Sequence, residues 1–366
     1  MDDELSRLER WGISALASRT EVWPESDDPV HVLNAQERAE LLRIERWAII
    51  RAGIAGALSA GLSALATVWV GPSETTDPVY YWSVVGGASA LTAVVEIGYL
   101  YWDAVRAVRH MARASGVRLY AADTLQHGVA LALTRAALEL PSPHTNALRI
   151  DPFREAAKWQ IAVASLVYKA KVALTGFLLK ALLRRALGRF ATRAVLEAVA
   201  IPVTAVWNML VCRWITREAR LRAMGPSLAH ELARWIRTID GNDVGLELVT
   251  WALGTSVVKN RQVHPNWSAL VEALGLPNTL RDSTRDFGDC ARFLGALKAA
   301  PAVERRAALR ALVAAAILDG KVLRLEKAWL EVTFAVAGYA FLDDEVERAC
   351  KAFVSGNGFD ASGLAI

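Results

Sequence analysis

Residues 47–69, WAIIRAGIAGALSAGLSALATVW, run into GPSETTDP at 71–78 and return as YYWSVVGGASALTAVVEIGYLYW at 80–102. Each apolar arm holds about 20 residues, which at ~1.5 Å rise per residue is roughly 30 Å, the thickness of a bilayer's hydrocarbon core. Trp47 and Trp69 close the first arm and Trp82 and Trp102 the second, with Tyr80, Tyr81, Tyr99 and Tyr101 nearby. Amphipathic rings favour the headgroup level, so these are the belts of two spans. A soluble core helix seldom runs this long without a polar face. The stretch therefore reads as a two-helix transmembrane hairpin, and the chain as all-α.

Charge orients the hairpin. Arg43, Arg46 and Arg51 precede or open the first arm, and Arg106, Arg109, Arg113 and Arg118 follow the second. The turn carries Glu74 and Asp77 and no Lys or Arg. By the positive-inside rule the turn faces outward and both flanks are cytoplasmic. Arg51 and Glu96 are the charges inside the arms, at similar distances from Trp47 and Trp102. An intramembrane charge is costly alone, so the two are expected to pair and set the register of the arms. The alternative is that Arg51 snorkels to the headgroups. Gly53, Ala57 and Gly61 on one arm, with Gly86 and Ala90 on the other, form small-residue stripes that permit close helix contact, within the hairpin or with a second copy.

The composition is 54% hydrophobic and 22% charged, which suits membrane-embedded parts joined to soluble ones. Net charge is only +4, and the arginines cluster beside apolar segments. That pattern points to anionic lipid at the inner leaflet rather than nucleic acid. Three scattered cysteines, Cys212, Cys290 and Cys350, suggest a reducing compartment without a disulfide framework or zinc site. The acidic start, Met1-Asp2-Asp3-Glu4, has no apolar h-region, so no cleavable signal peptide is expected and the hairpin acts as its own insertion signal.

Four regions follow. Residues 1–46 are N-terminal cytoplasmic helices, in which Asn34 with Glu37 is a capping box opening the helix that enters the first arm. Residues 47–102 are the hairpin. Residues 103–225 are a basic, membrane-proximal helical region, and 226–366 a cytoplasmic helical domain entered at Gly225-Pro226. Within the third region, 159–183 and 194–214 are apolar, but Arg184, Arg185, Arg189 and Arg193 lie between them. Two further spans would put four arginines outside. The charge rule therefore favours helices that lie on the inner leaflet or pack on one another, with these arginines at lipid headgroups, and two further spans stand as the alternative.

The run Ala200-Ile201-Pro202-Val203-Thr204-Ala205-Val206-Trp207-Asn208, then Arg213, Ile215 and Glu218-Ala219-Arg220, resembles the EcsC-type pattern over roughly 150–225. Thr204 and Ala205 stand where that family usually has glycines. The resemblance implies membrane association in bacteria and carries no established reaction.

Two acidic motifs share one form: Asp240-Gly241, four residues, Leu246-Glu247, and Asp319-Gly320, four residues, Leu325-Glu326. Locally, Gly suits a left-handed helix stop and Glu a first helical turn. As a pair they resemble the TerB-like (tellurite-resistance-type) helical domain over roughly 226–350. That resemblance implies a compact cytoplasmic module in which Asp240, Glu247, Asp319 and Glu326 hold a divalent cation. Val244 and Leu323 occupy the position of a further oxygen ligand, so only weak calcium or magnesium binding is expected.

No nucleophile elbow, P-loop, His-Glu-x-x-His or Cys-x-x-Cys occurs, and the six histidines are dispersed. Asp282, Asp286 and Asp289 read as a solvated helix face. The expected protein is a bacterial inner-membrane adaptor with both termini cytoplasmic, whose helical domain docks a cytoplasmic protein partner or senses a divalent ion. Two alternatives stand beside it. One is a lipid-handling or lipid-modifying protein using Glu197 and Asn208; the other is an oligomeric pore or transport accessory, a homo-oligomer built on the small-residue faces.

Overall fold

The computed structural model describes residues 33–71, 76–115, 150, 193–239, 242–243, 245–261, 263–276, 286–359 and 364, and for 193–198 and 242–243 the backbone alone. The described elements are α1 (Ala35–Val70), α2 (Pro78–Ala114), α3 (Arg193–Arg237), β1 (Thr238–Ile239), β2 (Asn242–Asp243), α4 (Glu247–Asn260), α5 (Pro265–Ala273), α6 (Cys290–Ala299), α7 (Ala302–Leu318), α8 (Arg324–Ala337) and α9 (Asp343–Ser355). The two strands form a two-residue antiparallel pairing. Among the described residues everything else of regular form is helix.

The α1 start follows the local code. Asn34 accepts from the Glu37 N–H at 2.8 Å, and Glu37 accepts from the Asn34 N–H at 2.8 Å. These bonds satisfy orphan donors at the helix N-terminus. Asp77 does the same for α2, accepting from the Tyr80 N–H, with Pro78 at the first helical position.

Three helices, α1, α2 and α3, are long and apolar enough to cross a membrane. Beside the two arms of the expected hairpin, the stretch 194–214 thus belongs to a third such helix. That stretch is the first half of α3, a 45-residue helix laid along α1 in the opposite direction. Gly53 and Gly56 make the contact possible. A Cβ on Gly56 would stand 2.6 Å from Asn208 Nδ2 and 2.9 Å from the Thr204 carbonyl oxygen, and one on Gly53 would meet Met209. Small residues let the backbones approach, and this packing is absent from a charge count. Gly53 thus serves a contact with α3 rather than with the second arm, and beside Gly61 and Gly86 a Cβ would meet nothing within 4 Å. Arg193 lies toward the far end of α1, so the chain enters α3 from the side opposite to Ser115 at the end of α2.

The apolar outer surface is broad. Trp47, Leu58, Leu65 and Trp69 of α1, Trp82, Val94 and Trp102 of α2, and Trp214 of α3 are all exposed. A soluble monomer rarely shows apolar surface on that scale. The arms' inner parts meet through Ala48, Ala52, Ala107 and Cys212, whose small side chains bring α1, α2 and α3 together.

α3 does not stop at Gly225-Pro226. It continues to Arg237 with Pro202 and Pro226 inside it. One buried cluster takes in Leu41 of α1, Val108 and Met111 of α2, Leu232 and Ile236 of α3, and the inner faces of α4–α9. The divisions expected at 102 and 225 therefore do not separate cores. α7 runs through the centre, with Ala307 to Leu309 and Ala311 to Leu318 all buried. Arg310, the break in that run, donates to the carbonyls of Trp235 and Thr238 and so serves the C-terminal end of α3.

Gly225 is needed for contact rather than for a stop. A Cβ there would lie 2.0 Å from Asn266 Oδ1. The Asn266 amide donates to the carbonyls of Leu221 and Leu318, both at 3.0 Å, joining α3 to the end of α7. Gly225→Ala should displace Asn266 and lower stability by about 1–3 kcal/mol in denaturant titrations of the detergent-solubilised chain. Stability unchanged within error would refute this role.

Candidate functional site

Two polar constellations lie in otherwise apolar surroundings. The first sits where the inner half of α3 meets α4, α5, α7 and α8. His264 caps α5: its Nδ1 accepts from the Asn266 N–H at 3.2 Å, which leaves the ring proton on Nε2. Nε2 donates to Glu218 Oε1 of α3 at 3.3 Å, and Arg222 Nε donates to the same oxygen at 3.0 Å. Burial pushes the Glu218 carboxyl up, but the His264 hydrogen bond and the Arg222 charge outweigh it and bring it to about 2. Burial also lowers His264, so the imidazole is neutral at pH 7.

Asp319 and Glu326 complete this cluster. Asp319 ends α7, and Gly320 follows at φ +66°, the left-handed stop expected for Asp-Gly. Glu326 accepts from the Leu323 N–H at 2.9 Å in the first turn of α8. Both acids are buried. Burial raises Asp319 well above the usual carboxylate range, with the Glu326 charge adding to it. Burial carries Glu326 to about 7 against the opposing Leu323 hydrogen bond and Lys321 charge.

Among the described residues no cation site is formed here. The space enclosed with Ser256, Asn260 and Trp267 has essentially no room for a water-sized molecule (≈ 0 Å³). Asp319 Oδ1 and Asn260 Oδ1 are buried without a hydrogen-bond partner among the described residues. Yet no group of three His, Cys, Asp or Glu residues there is placed to hold a metal, and hard cations want six or more oxygens. Of the other two expected ligands, Glu247 is exposed in the first turn of α4, away from the cluster. Asp240 lies outside the described residues, as does Asp282. Without substrate space, what the cluster can do is hold or release protons.

The second constellation lies among the apolar halves of α1, α2 and α3. Arg51 Nε donates to Asp103 Oδ1 at 2.9 Å, and Asp103 is nearly inaccessible. The expected Arg51–Glu96 pair is thus corrected: Arg51 pairs with Asp103, and Glu96 Oε1 accepts from Asn208 Nδ2 of α3 at 2.6 Å. Register explains the change. Ser63 and Thr92 hydrogen-bond across α1 and α2 at 2.9 Å, in step with Arg51–Asp103. In that ladder Glu96 falls about two turns deeper than Arg51. The tryptophans that bracket the arms are staggered rather than level. Asp103, one residue past Trp102, escaped notice because it was counted as flank.

Between α1 and α2 lies a cleft of ≈ 590 Å³, walled by Ile54, Leu58, Leu62, Leu91 and Val95, with Arg51, Glu96 and Tyr99 on its lining. Asn208, singled out by the EcsC-type pattern, holds Glu96 beside it. The backbone of Glu197 is helical, but its side chain lies outside the description. Arg184, Arg185 and Arg189 lie outside the described residues, and Arg193 opens α3 with its side chain undescribed.

A third feature, unread in the sequence, joins the two halves. Arg220 Nε donates to Glu45 Oε2 at 2.6 Å, both side chains buried, and its Nη1 donates to the Val354 carbonyl at 2.6 Å. A periodicity search sees Glu45 and Arg220 as ordinary charges on basic helices; only their separation by 175 residues of chain hides the pairing.

No family model, curated protein or solved structure matches this chain. Its class rests on the architecture: an all-helical protein with three helices long and apolar enough to cross a membrane and a shared helical core at one end of them.

Proposed function

We propose that this protein is a bacterial inner-membrane scaffold, both termini cytoplasmic, that holds a helical platform at the membrane for a protein partner. The observation that carries the reading is the rigid joint between the two parts. α3 passes unbroken from apolar surroundings into the core of the platform, and the buried Glu45–Arg220–Val354 linkage ties α1, α3 and α9 at the junction. A passive anchor needs only a flexible linker; a fixed joint holds one face of the platform in a set orientation. The TerB-like and EcsC-like resemblances agree with a membrane-proximal helical module.

Leu325 and Val332 are exposed apolar residues two helical turns apart on α8, an accessible docking stripe. A photo-crosslinking residue at Val332 should trap one discrete protein in native membranes, and Leu325→Asp should abolish that product. Trapping no stronger than at exposed Lys298, or insensitive to Leu325→Asp, would sink the platform reading.

A second reading, the handling of an amphiphile, is favoured by the cleft between α1 and α2.

A further inference from the structure

We propose that the cleft between α1 and α2 binds a hydrophobic organic cation, with the Glu96 carboxylate as its counter-charge and the aliphatic walls enclosing its apolar body. The inference is independent of the scaffold reading and rests on the charge and shape of the cleft. Two charged residues line it, Arg51 and Glu96. Arg51 is already matched by Asp103 at 2.9 Å. Glu96 receives the Asn208 amide at 2.6 Å, which aims the carboxylate but brings no positive charge. The cleft with its immediate partners therefore carries an excess negative charge, set about two turns into the apolar walls from Arg51. Ionisable groups at such depth are costly and pair with whatever opposite charge reaches them.

The remaining lining selects the kind of cation. A volume of ≈ 590 Å³ falls in the range of small-molecule sites. Leu58 and Leu91 flank the level of Glu96 from the two helices, and Tyr99, one turn from Glu96, brings an aromatic ring to the same lining. Carboxylate, aromatic ring and aliphatic wall together suit a bulky organic cation, which gains from ion pairing, ring attraction and apolar burial at once. A bare metal ion would find too few oxygens, since among the described residues of the lining Ser59, Thr92 and Tyr99 add just three hydroxyl groups to the Glu96 carboxylate. Among the described residues of the lining the one cation, Arg51, is already paired with Asp103, so an anionic amphiphile would meet the Glu96 charge uncompensated.

The test uses the full chain in phosphatidylcholine nanodiscs, with tetraphenylphosphonium as the probe and tetraphenylborate as its anionic counterpart of similar shape. Equilibrium dialysis should give saturable uptake of one tetraphenylphosphonium per chain, above that of empty discs, and no saturable uptake of tetraphenylborate. Glu96→Gln keeps an oxygen for Asn208 and removes the charge, and it should weaken binding at least tenfold. Leu58→Trp fills the cleft with Glu96 intact and should weaken it similarly, so the outcome does not depend on one variant assembling. Uptake equal to empty discs, equal affinity in wild type and both variants, or saturable uptake of both probes would overturn the proposal. So would a phospholipid retained one per chain in native mass spectrometry and not displaced by tetraphenylphosphonium.

Discussion

Arg220→Met is expected to destabilise the protein by about 3–5 kcal/mol, because it strands the buried Glu45 carboxylate without its cation. Loss of the Arg220 guanidinium also leaves the part-buried Val354 carbonyl unserved, and an unsatisfied acceptor adds about 1–3 kcal/mol in its own right. Glu45→Leu should be comparably harmful, since the buried Arg220 then keeps only the Val354 carbonyl. The double variant is the informative one. Replacing a buried ion pair with apolar side chains is often neutral, so Glu45→Leu with Arg220→Met should recover most of the loss, short of the Val354 contribution. Denaturant titration followed by tryptophan fluorescence, on the full chain in detergent, measures all three. Simple additivity of the two single losses would show that the pair is not coupled and that the joint rests on apolar packing alone.

The second large effect is on pH dependence. Glu326→Gln should leave stability nearly unchanged at pH 4–5 and raise it by about 3 kcal/mol at pH 8, at 1.36 kcal/mol for each pH unit between the ordinary and the raised value. The sign follows from proton counts. A carboxyl held at about 7 in the folded protein and near 4.5 when unfolded keeps its proton in the fold across that interval, after the unfolded chain has lost it. Its contribution is therefore full below about 4.5 and lost as pH rises through about 7. Asp319, raised by burial and by the Glu326 charge, acts in the same sense. His264 acts in the opposite sense, because its lowered value makes stability fall as pH drops below the ordinary histidine range. Glu218, lowered to about 2, matters only toward the acid end. Because these groups overlap, the measurement that isolates Glu326 is the difference between variant and wild type across pH 5–8. Gln keeps an oxygen to accept the Leu323 N–H, so the helix cap survives the change. A difference that stays flat over that range would mean Glu326 is ionised in the fold at all these pH values.

Much of the helical character was legible. Apolar runs of about 20 residues with tryptophan ends need no tertiary information, because backbone satisfaction in an apolar medium forces helix. The Asn34–Glu37 capping box and the Asp319-Gly320 stop were equally local, each depending on side chains within three or four residues of one another. The Asp319-Gly320 motif was legible as punctuation but not as part of a ligand set. Whether Asp319 and Glu326 meet a cation or each other depends on which helices close over them, and the helices that do, α3, α4 and α5, leave no space.

What the sequence determined by itself was composition along the chain: which stretches are apolar, which ends are basic and where helices can start and stop. What only the tertiary structure decided was register and partnership. Glu96 and Arg51 looked level because the arms were measured from their tryptophans, whereas the Ser63–Thr92 and Arg51–Asp103 contacts set the arms in a different step. The seat of the 194–214 stretch was hidden because charge counting weighs arginines and ignores packing, whereas Gly53 and Gly56 open a groove on α1 that α3 fills. Gly225-Pro226 looked like a boundary because those residues break most helices, yet here the missing side chain of Gly225 is the seat for Asn266. The physical reason is common to all three. Helix formation is decided within a few residues, but the energy of a buried charge or a close helix contact belongs to a pair that only folding brings together.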